Sequence, residues 1–431
     1  MTTLAPAAPV GLLGSWHALH RADLRAHLET YGPLPRPSGA DPGWTARLAA
    51  EIEASGLTGR GGAAFPAARK LAGAARAGGH GTVVVNAMEG EPASDKDRVL
   101  LGVAPHLVLD GAELVAGGIG AQRIVVCIAS DRDDTARRLA DALAERPAGA
   151  KTGTPVEIAR SPGRYVGGEE SALVSWLDGG APAPSFRIDK SVPLAVRGRP
   201  VVVHNAETLA HLALIARYGA GWFRARGTPD APGTTLVTVS GAVDHPGVHE
   251  IALGTPIDEI VSLSGPGQVV GTVLVGGYGG TWIGSDDLGT PYAPGPLARL
   301  GAGTGAGVLV VLGREACGVA AAARIADYMA GQSAGQCGPC VFGLHALAED
   351  MRALAGGSAA PATVERLRGR FAAVEGRGAC RHPDGVVRML RSALVVFADD
   401  LSSHAAGVPC PYSRDPLPAL EPAAGHRGGT R

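Results

Sequence analysis

The apolar positions of this chain fall into two textures. Thr82-Val83-Val84-Val85-Asn86 and Arg123-Ile124-Val125-Val126-Cys127-Ile128 are short continuous runs rich in β-branched residues, and such runs predict strands buried within a sheet. Asp131 to Arg146 instead mixes apolar and charged positions as an amphipathic helix does. Val201-Val202-Val203-His204-Asn205 predicts a further strand, with Asn205 as the N-cap of a helix running to Arg217. Strands alternating with helices predict an α/β fold built on a parallel sheet.

Beyond about Thr234 the texture changes. Thr235 to Val243 and Pro246 to Ile251 predict short strands joined by a Pro-Gly turn. A helix capped near Thr255 and the apolar strand Thr272 to Val275 complete a small α+β insert. From Gly305 a strand, Val308 to Leu312, gives way to helical segments that end near Asp400. The Ala/Pro-rich start and the proline-punctuated stretch from Tyr31 to Pro42 predict a loosely packed arm, and Pro411 to Arg431 a disordered tail. The expected organisation is an arm (1–50), an α/β domain (51–232), an α+β insert (233–302), a helical domain (303–408) and a tail (409–431).

Composition narrows the function. With 431 residues, 45% of them hydrophobic, the chain is long enough for two to four domains of about 150 residues with real cores. A net charge of −1 without a basic block argues against nucleic acid or anionic lipid as the main partner. No apolar run approaches the roughly 18 to 20 residues that span a bilayer, so the expectation is a soluble, cytoplasmic protein, at most peripheral to a membrane through a partner. Of six cysteines, three stand in two short stretches, Cys337-Gly338-Pro339-Cys340 and Cys380. A Cys-x-x-Cys pair brings two thiolates to one corner of a metal site, as zinc and iron-sulfur centres require. Because Cys127, Cys317 and Cys410 are scattered and no secretory segment is evident, a metal site is expected rather than a disulfide framework.

Two glycine-rich loops carry the remaining chemistry. In Gly59-Arg60-Gly61-Gly62-Ala63-Ala64-Phe65-Pro66, three glycines let backbone approach a ligand, and Pro66 suits the first position of a helix that reaches Lys70. No apolar strand precedes this loop, so the dinucleotide fingerprint is not met, and a flavin mononucleotide or a bare phosphate is the expected ligand. Gly163 to Leu173 forms a second glycine-rich turn opening a helix, where Glu169 and Glu170 either cap the helix or face a cofactor.

Four stretches in order resemble one family: Gly59 to Pro66, Asn86 to Pro92 with Lys96-Asp97-Arg98 after it, Tyr165 to Leu173, and Ser333 to Cys340 with Cys380 beyond. The chain is similar over roughly residues 50 to 405 to the NADH-oxidising flavoprotein subunit of respiratory complex I and to related diaphorase subunits of hydrogenases and formate dehydrogenases. The resemblance implies a Rossmann-like FMN domain, a ubiquitin-like β-grasp insert of the soluble-ligand-binding type, and a C-terminal helical bundle holding a 4Fe-4S cluster. By that likeness Gly59, Arg60, Gly61, Gly62, Lys70, Asn86 and Asn205, with Thr208 nearby, meet FMN, and Tyr165, Gly168, Glu169 and Glu170 edge its ring. Phe65, Glu91 and Glu170 then contact a nicotinamide, Glu91 and Glu170 being the catalytic candidates. Cys337, Cys340 and Cys380 ligate the cluster. The implied partner is a ferredoxin-like protein or a membrane-bound reductase.

The sequence departs from that family at several points. Ala334 stands where the family has its first cluster cysteine, which leaves three cysteines for a 3Fe-4S cluster, a 4Fe-4S cluster with a non-thiolate fourth ligand, or zinc completed by His382. Cys317 is a candidate replacement thiolate, and Cys410 a weaker one. Met88 replaces an acidic residue and Ala64 a glycine. Lys190 lies where an adenine-stacking aromatic is expected, and with Arg187 it keeps NADPH open beside NADH. The competing expectation is a docking module of the same fold, with zinc or no metal at the cysteines.

Overall fold

A computed structural model of the chain describes residues 11–14, 23–35, 43–76, 81–146, 154–187, 193–265, 270–408, 410 and 417. Two five-stranded sheets organise it. The first has the order β3-β2-β1-β5-β4, from β1 (Thr82–Ala87), β2 (Arg123–Ala129), β3 (Val156–Ser161), β4 (Ala195–Val196) and β5 (Arg199–Asn205). β1, β2, β3 and β5 pair in parallel, and β4 closes the edge antiparallel to β5. Both faces are covered, which is why these strands read as continuous apolar runs. Val83 and Val85 face the main core with the helices Pro105–Ile119 and Ala206–Arg224, while Val84 faces a smaller core with Leu173 and Val203.

Asn205 caps the helix Ala206–Arg224 as expected, its side chain accepting from the Glu207 N–H. That helix extends past Arg217 with a break at Gly219 (φ 84°). The described part of the N-terminal arm is not loosely packed. Leu12 and Tyr31 are buried in the main core, the Tyr31 hydroxyl donates to the Leu12 carbonyl at 2.9 Å, and His27 reaches Asp110 at 2.9 Å. Apolar and paired polar contacts together outweigh the proline-rich composition that suggested a free segment. Lys190, most of the Pro411 to Arg431 tail and part of the proline-punctuated stretch lie outside the described residues.

The second sheet has the order β7-β6-β10-β8-β9, from β6 (Thr234–Gly241), β7 (Gly247–Ala252), β8 (Val270–Val275), β9 (Thr281–Gly284) and β10 (Val308–Gly313). Its central pair, β6 and β10, is parallel and the outer pairs are antiparallel. The strand at Val308, which the sequence groups with the helices after it, is therefore the middle of this sheet. Its alternation explains why: Val308, Val310 and Leu312 pack on the helical domain, while Leu309 and Val311 pack under the helix Ile257–Ser262. The helices Gly318–Gly331, His345–Ala355, Thr363–Val374, His382–Val396 and Ala398–Ala405 follow, with a π-helical turn at Pro339–Leu344 that carries Cys340.

A buried ionic cluster ties the first sheet to the second. Lys96 Nζ lies 2.7 Å from Asp97 and 3.0 Å from Glu207, all three side chains being nearly inaccessible. Glu207 Oε1 in turn accepts from the Thr235 hydroxyl and the Leu236 N–H of β6, both at 2.9 Å. Burial pushes the Glu207 carboxyl up, but Lys96, His211 and Arg60 outweigh it and hold the group down at about 2. Removing the single ammonium takes the nearest cation from two carboxylates in a dry site, leaving Glu207 only Arg60 at 3.9 Å. Lys96→Met is expected to cost about 3–5 kcal/mol of unfolding free energy. A urea titration showing a loss below about 1 kcal/mol would contradict this account of the interface.

Candidate functional site

In a doubly wound sheet, ligands bind beyond the carboxyl ends of the strands where the winding reverses. Here the chain leaves β1 for β2 on one side and returns to β5 on the other, and Asn86 of β1 is in register with Asn205 of β5. The glycine loop closes over this point. A bridge between Thr58 and Pro66 and the Gly59 N–H to Phe65 carbonyl bond at 2.8 Å fold residues 59–65 into a tight loop, and the helix begins at Ala67, one residue after Pro66. Gly61 lies directly over Asn205, since a Cβ on Gly61 would stand 3.4 Å from the Asn205 Cβ. Gly62 has φ 95° and Ala64 φ 49°, so alanine here adopts the left-handed conformation for which glycine is better suited.

Lys70 crosses the crevice, its ammonium donating to Glu170 at 3.0 Å and to the Val203 carbonyl at 2.7 Å. Asn86 donates to the Gly168 carbonyl at 2.8 Å, with Met88 buried against Gly167 and Gly168. Gly61, Lys70, Asn86, Gly168, Glu170 and Asn205 thus meet, although they come from four separate stretches of sequence.

Other expected contacts take different positions. The Arg60 side chain turns inward, donating to the Thr58 hydroxyl and the Thr234 carbonyl, and Thr208 accepts the Arg60 backbone N–H at 2.9 Å. Of the adjacent carboxylates, Glu169 is the cap, accepting from the Ser171 and Ala172 N–H groups at 3.0 Å, while Glu170 faces Lys70. Asn205 also donates to Asp97 at 2.7 Å, which joins the crevice to the buried ionic cluster. Phe65 is about half exposed with Arg69 over its ring. Arg187 is half-buried and engaged.

Glu91 sits where three parts of the molecule converge. Its Oε2 accepts from the Tyr165 hydroxyl at 3.2 Å and from the Tyr278 N–H in the turn between β8 and β9 at 3.0 Å, while Oε1 is buried without a partner. Gly277 must be glycine (φ 94°), because a Cβ there would fall 2.5 Å from the Glu91 carboxylate. Burial pushes the Glu91 carboxyl up to about 7, against the lowering effect of the Tyr278 N–H and the Tyr165 hydroxyl. Tyr165 also packs on His382 of the helical domain, ring centres 5.2 Å apart. Glu89 was not singled out from the sequence. It adopts φ 44° and caps the helix Lys96–Val103, accepting from the Asp97 and Arg98 N–H groups. Its only signal was its place just past the end of β1, which local pattern cannot tell from an ordinary loop acid.

Cys337, Cys340 and Cys380 come together. Burial pushes the Cys340 thiol up to about 12, and Cys337 and Cys380 add to that, while Cys380 also feels the charge of Glu169 at the rim of the crevice. The Cys337 and Cys340 thiols lie within hydrogen-bonding reach of each other. The candidate completing ligands stand elsewhere. His382 Nε2 reaches the Met329 carbonyl at 2.8 Å, and Cys317 lies against His404.

Comparisons with known proteins point to one family. Residues 52–214 match the Nuo51 FMN-binding domain, and residues 320–404 match the iron-sulfur binding region of NADH-ubiquinone oxidoreductase-F. The second F subunit of the NADH-quinone oxidoreductase of Rhizobium meliloti is 30% identical over 375 residues, 84% of this chain and 89% of that one. The corresponding F subunit of Aquifex aeolicus is 31% identical over 68% of this chain and 71% of that one. Among solved structures, a chain of an NAD+-reducing [NiFe]-hydrogenase in the H2-reduced state superposes with a TM-score of 0.78 at 32% identity; the match covers 84% of this chain but only 63% of that one.

The residues fit both groups. Exposed, Cβ-free backbone at Gly61 and Gly62, the Lys70 ammonium and two asparagine amides suit a phosphorylated flavin, and three clustered cysteines are the donor type that holds an iron-sulfur cluster.

The raised Glu91 carboxyl makes stability depend on pH. The native state keeps a proton that the unfolded chain releases near 4.5, so the stabilisation is complete below about 4.5 and is lost as pH rises through about 7. Glu91→Gln is expected to remove a decline of up to about 3 kcal/mol between pH 5 and 8, leaving the share due to Glu89, also raised to about 7. Urea midpoints at both pH values measure it; parallel profiles for variant and parent would refute the assignment.

Proposed function

This chain belongs to the family of the F subunits of NADH-quinone oxidoreductase, and on that premise we propose that Gly59, Gly61, Gly62, Lys70, Asn86, Gly168 and Asn205 hold FMN at the switch point of the parallel sheet. It is an NADH-oxidising flavoprotein subunit that carries an iron-sulfur site and passes electrons to protein partners. FMN, when bound, accepts two electrons as a hydride and gives them up one at a time.

The chain's own residues prepare that exchange. Lys70 supplies the positive charge of the crevice and is aligned by Glu170 and the Val203 carbonyl. Arg60 and Thr208 act one layer below, fixing the glycine loop to β6 and to the helix after β5. Glu91, titrating near neutral pH, holds a proton at the edge of the crevice, and Tyr165 orients it. Phe65, Glu170 and Glu91 form the face offered to the nicotinamide.

The observation that carries the reading is the short turn from Tyr165 to Glu170. One end of it edges the crevice through Gly168 and Glu170, and the other packs through Tyr165 on His382, two residues after Cys380. That continuity supports flavin and cluster sites on one side of the turn. Phe342, 75% exposed two residues after Cys340, supports docking of a one-electron acceptor beside the cluster. That acceptor is a ferredoxin-like protein or a membrane-bound reductase, because alanine at position 334 sets this cluster apart from those of an unbroken respiratory chain. The protein then works in the cytoplasm, peripheral to the membrane at most. No single helix among the described residues is long and apolar enough to cross a bilayer.

Anaerobically purified protein is expected to show a flavin band with an iron-sulfur shoulder, both bleached by NADH and far less by NADPH. A protein carrying no flavin and unresponsive to NADH would overturn the proposal. Lys70→Ala is expected to weaken FMN binding about 10- to 100-fold, the worth of one charge-assisted hydrogen bond, as read by flavin fluorescence on titration of the apoprotein. An unchanged affinity would remove Lys70 from the site.

A further inference from the structure

A second set of metal-ligand side chains lies away from the flavin crevice and the three clustered cysteines. Cys317 Sγ, His404 Nε2 and Cys410 Sγ are all within 4.8 Å of one another, the only such trio of histidine, cysteine or acidic groups among the described residues. Cys317 and His404 are buried and Cys410 is half-buried. Cys317 and Cys410 fall just outside the matched iron-sulfur region, residues 320–404.

His404 is oriented for coordination. Its Nδ1 lies 3.1 Å from both the Leu354 and the Ala355 carbonyls at the end of the helix His345–Ala355. Carbonyls only accept, so Nδ1 carries the proton and Nε2 presents its lone pair. Three groups converge on that one lone pair: Cys317 Sγ at 3.5 Å, Cys410 Sγ at 3.2 Å and the Cys410 N–H at 3.1 Å. The two thiols also reach one another, so sulfur, sulfur and imidazole nitrogen crowd one small volume. A tetrahedral zinc with Zn–S of about 2.3 Å and Zn–N of about 2.0–2.1 Å sets sulfur and nitrogen about 3.5 Å apart, close to the spacing found.

We propose that Cys317, His404 and Cys410 bind one zinc ion, the fourth position being taken by solvent at the half-buried Cys410 side. Two thiolates and an imidazole form a donor set suited to zinc, and binding releases the two thiol protons. The site joins separate parts of the chain. Cys317 caps the helix Gly318–Gly331 where the second sheet passes into the helical domain, and His404 ends the last helix. Zinc therefore fastens the segment after the final helix to the first turn of the helical domain, on the side where Phe397 packs against Gly318.

The test is metal analysis of the full chain, purified anaerobically from cells grown with added zinc. About one zinc per chain is expected beside iron. Cys410→Ser and His404→Gln each lose that zinc with iron and flavin contents unchanged, whereas Cys337→Ser loses iron and keeps zinc. Cobalt exchanged into the site gives the visible bands of tetrahedral thiolate coordination in the parent and not in Cys410→Ser. Should the variants fail to fold, alkylation of the parent protein decides instead: zinc protects Cys317 and Cys410, and chelation exposes both, as mapped by mass spectrometry. The proposal is overturned by a zinc-free parent, by zinc content that survives both substitutions, or by alkylation indifferent to zinc.

Discussion

The buried contact between Lys96 and Glu207 is the constraint on which the rest of the molecule depends. Glu207 opens the helix after β5, Lys96 opens the helix after β1, and the Glu207 carboxylate also holds the start of β6. One ion pair therefore registers the parallel sheet, the two helices that leave its switch point and the first strand of the second sheet. Such a pair adds little net stability over apolar packing, because desolvation offsets most of the Coulomb attraction. What it imposes is geometry: the two sheets must keep this relation for all of these charges to stay paired.

The functional parts hang from that junction. Asn205, bonded to both Lys96 and Asp97, lies under the glycine loop, so the floor of the crevice is as rigid as the ionic cluster beneath it. Glu91 extends the same logic toward the second sheet and Tyr165 toward the helical domain. A redox site that must hand electrons between domains gains from being built where the domains are already locked together. The turn from Tyr165 to Glu170 then links the crevice to the helical domain that carries the cysteines.

Much of the site was legible in sequence because it is written in local motifs. Glycines at positions 59, 61 and 62, the Cys-x-x-Cys pair and the paired glutamates each announce their chemistry within a few residues. What those motifs could not tell was direction. Arg60 stands in the glycine loop yet points into the core, and Glu169 and Glu170 are neighbours with different tasks, because a side chain's partner is set by the fold around it. Cys317 offered itself as a substitute cluster ligand by residue type alone. The fold gives it to His404 and Cys410, far away in sequence, and no spacing rule connects them.

By itself the sequence determined the fold class, the family and the cofactors, since hydrophobic period, turn glycines and clustered thiols all act over short stretches of chain. Only the tertiary structure decided that the strand at Val308 belongs to the second sheet, that the described part of the arm is docked, that Glu91 titrates near neutral pH, and which cysteines share a site. These depend on burial and on contacts between residues distant along the chain, and neither quantity exists until the chain has folded.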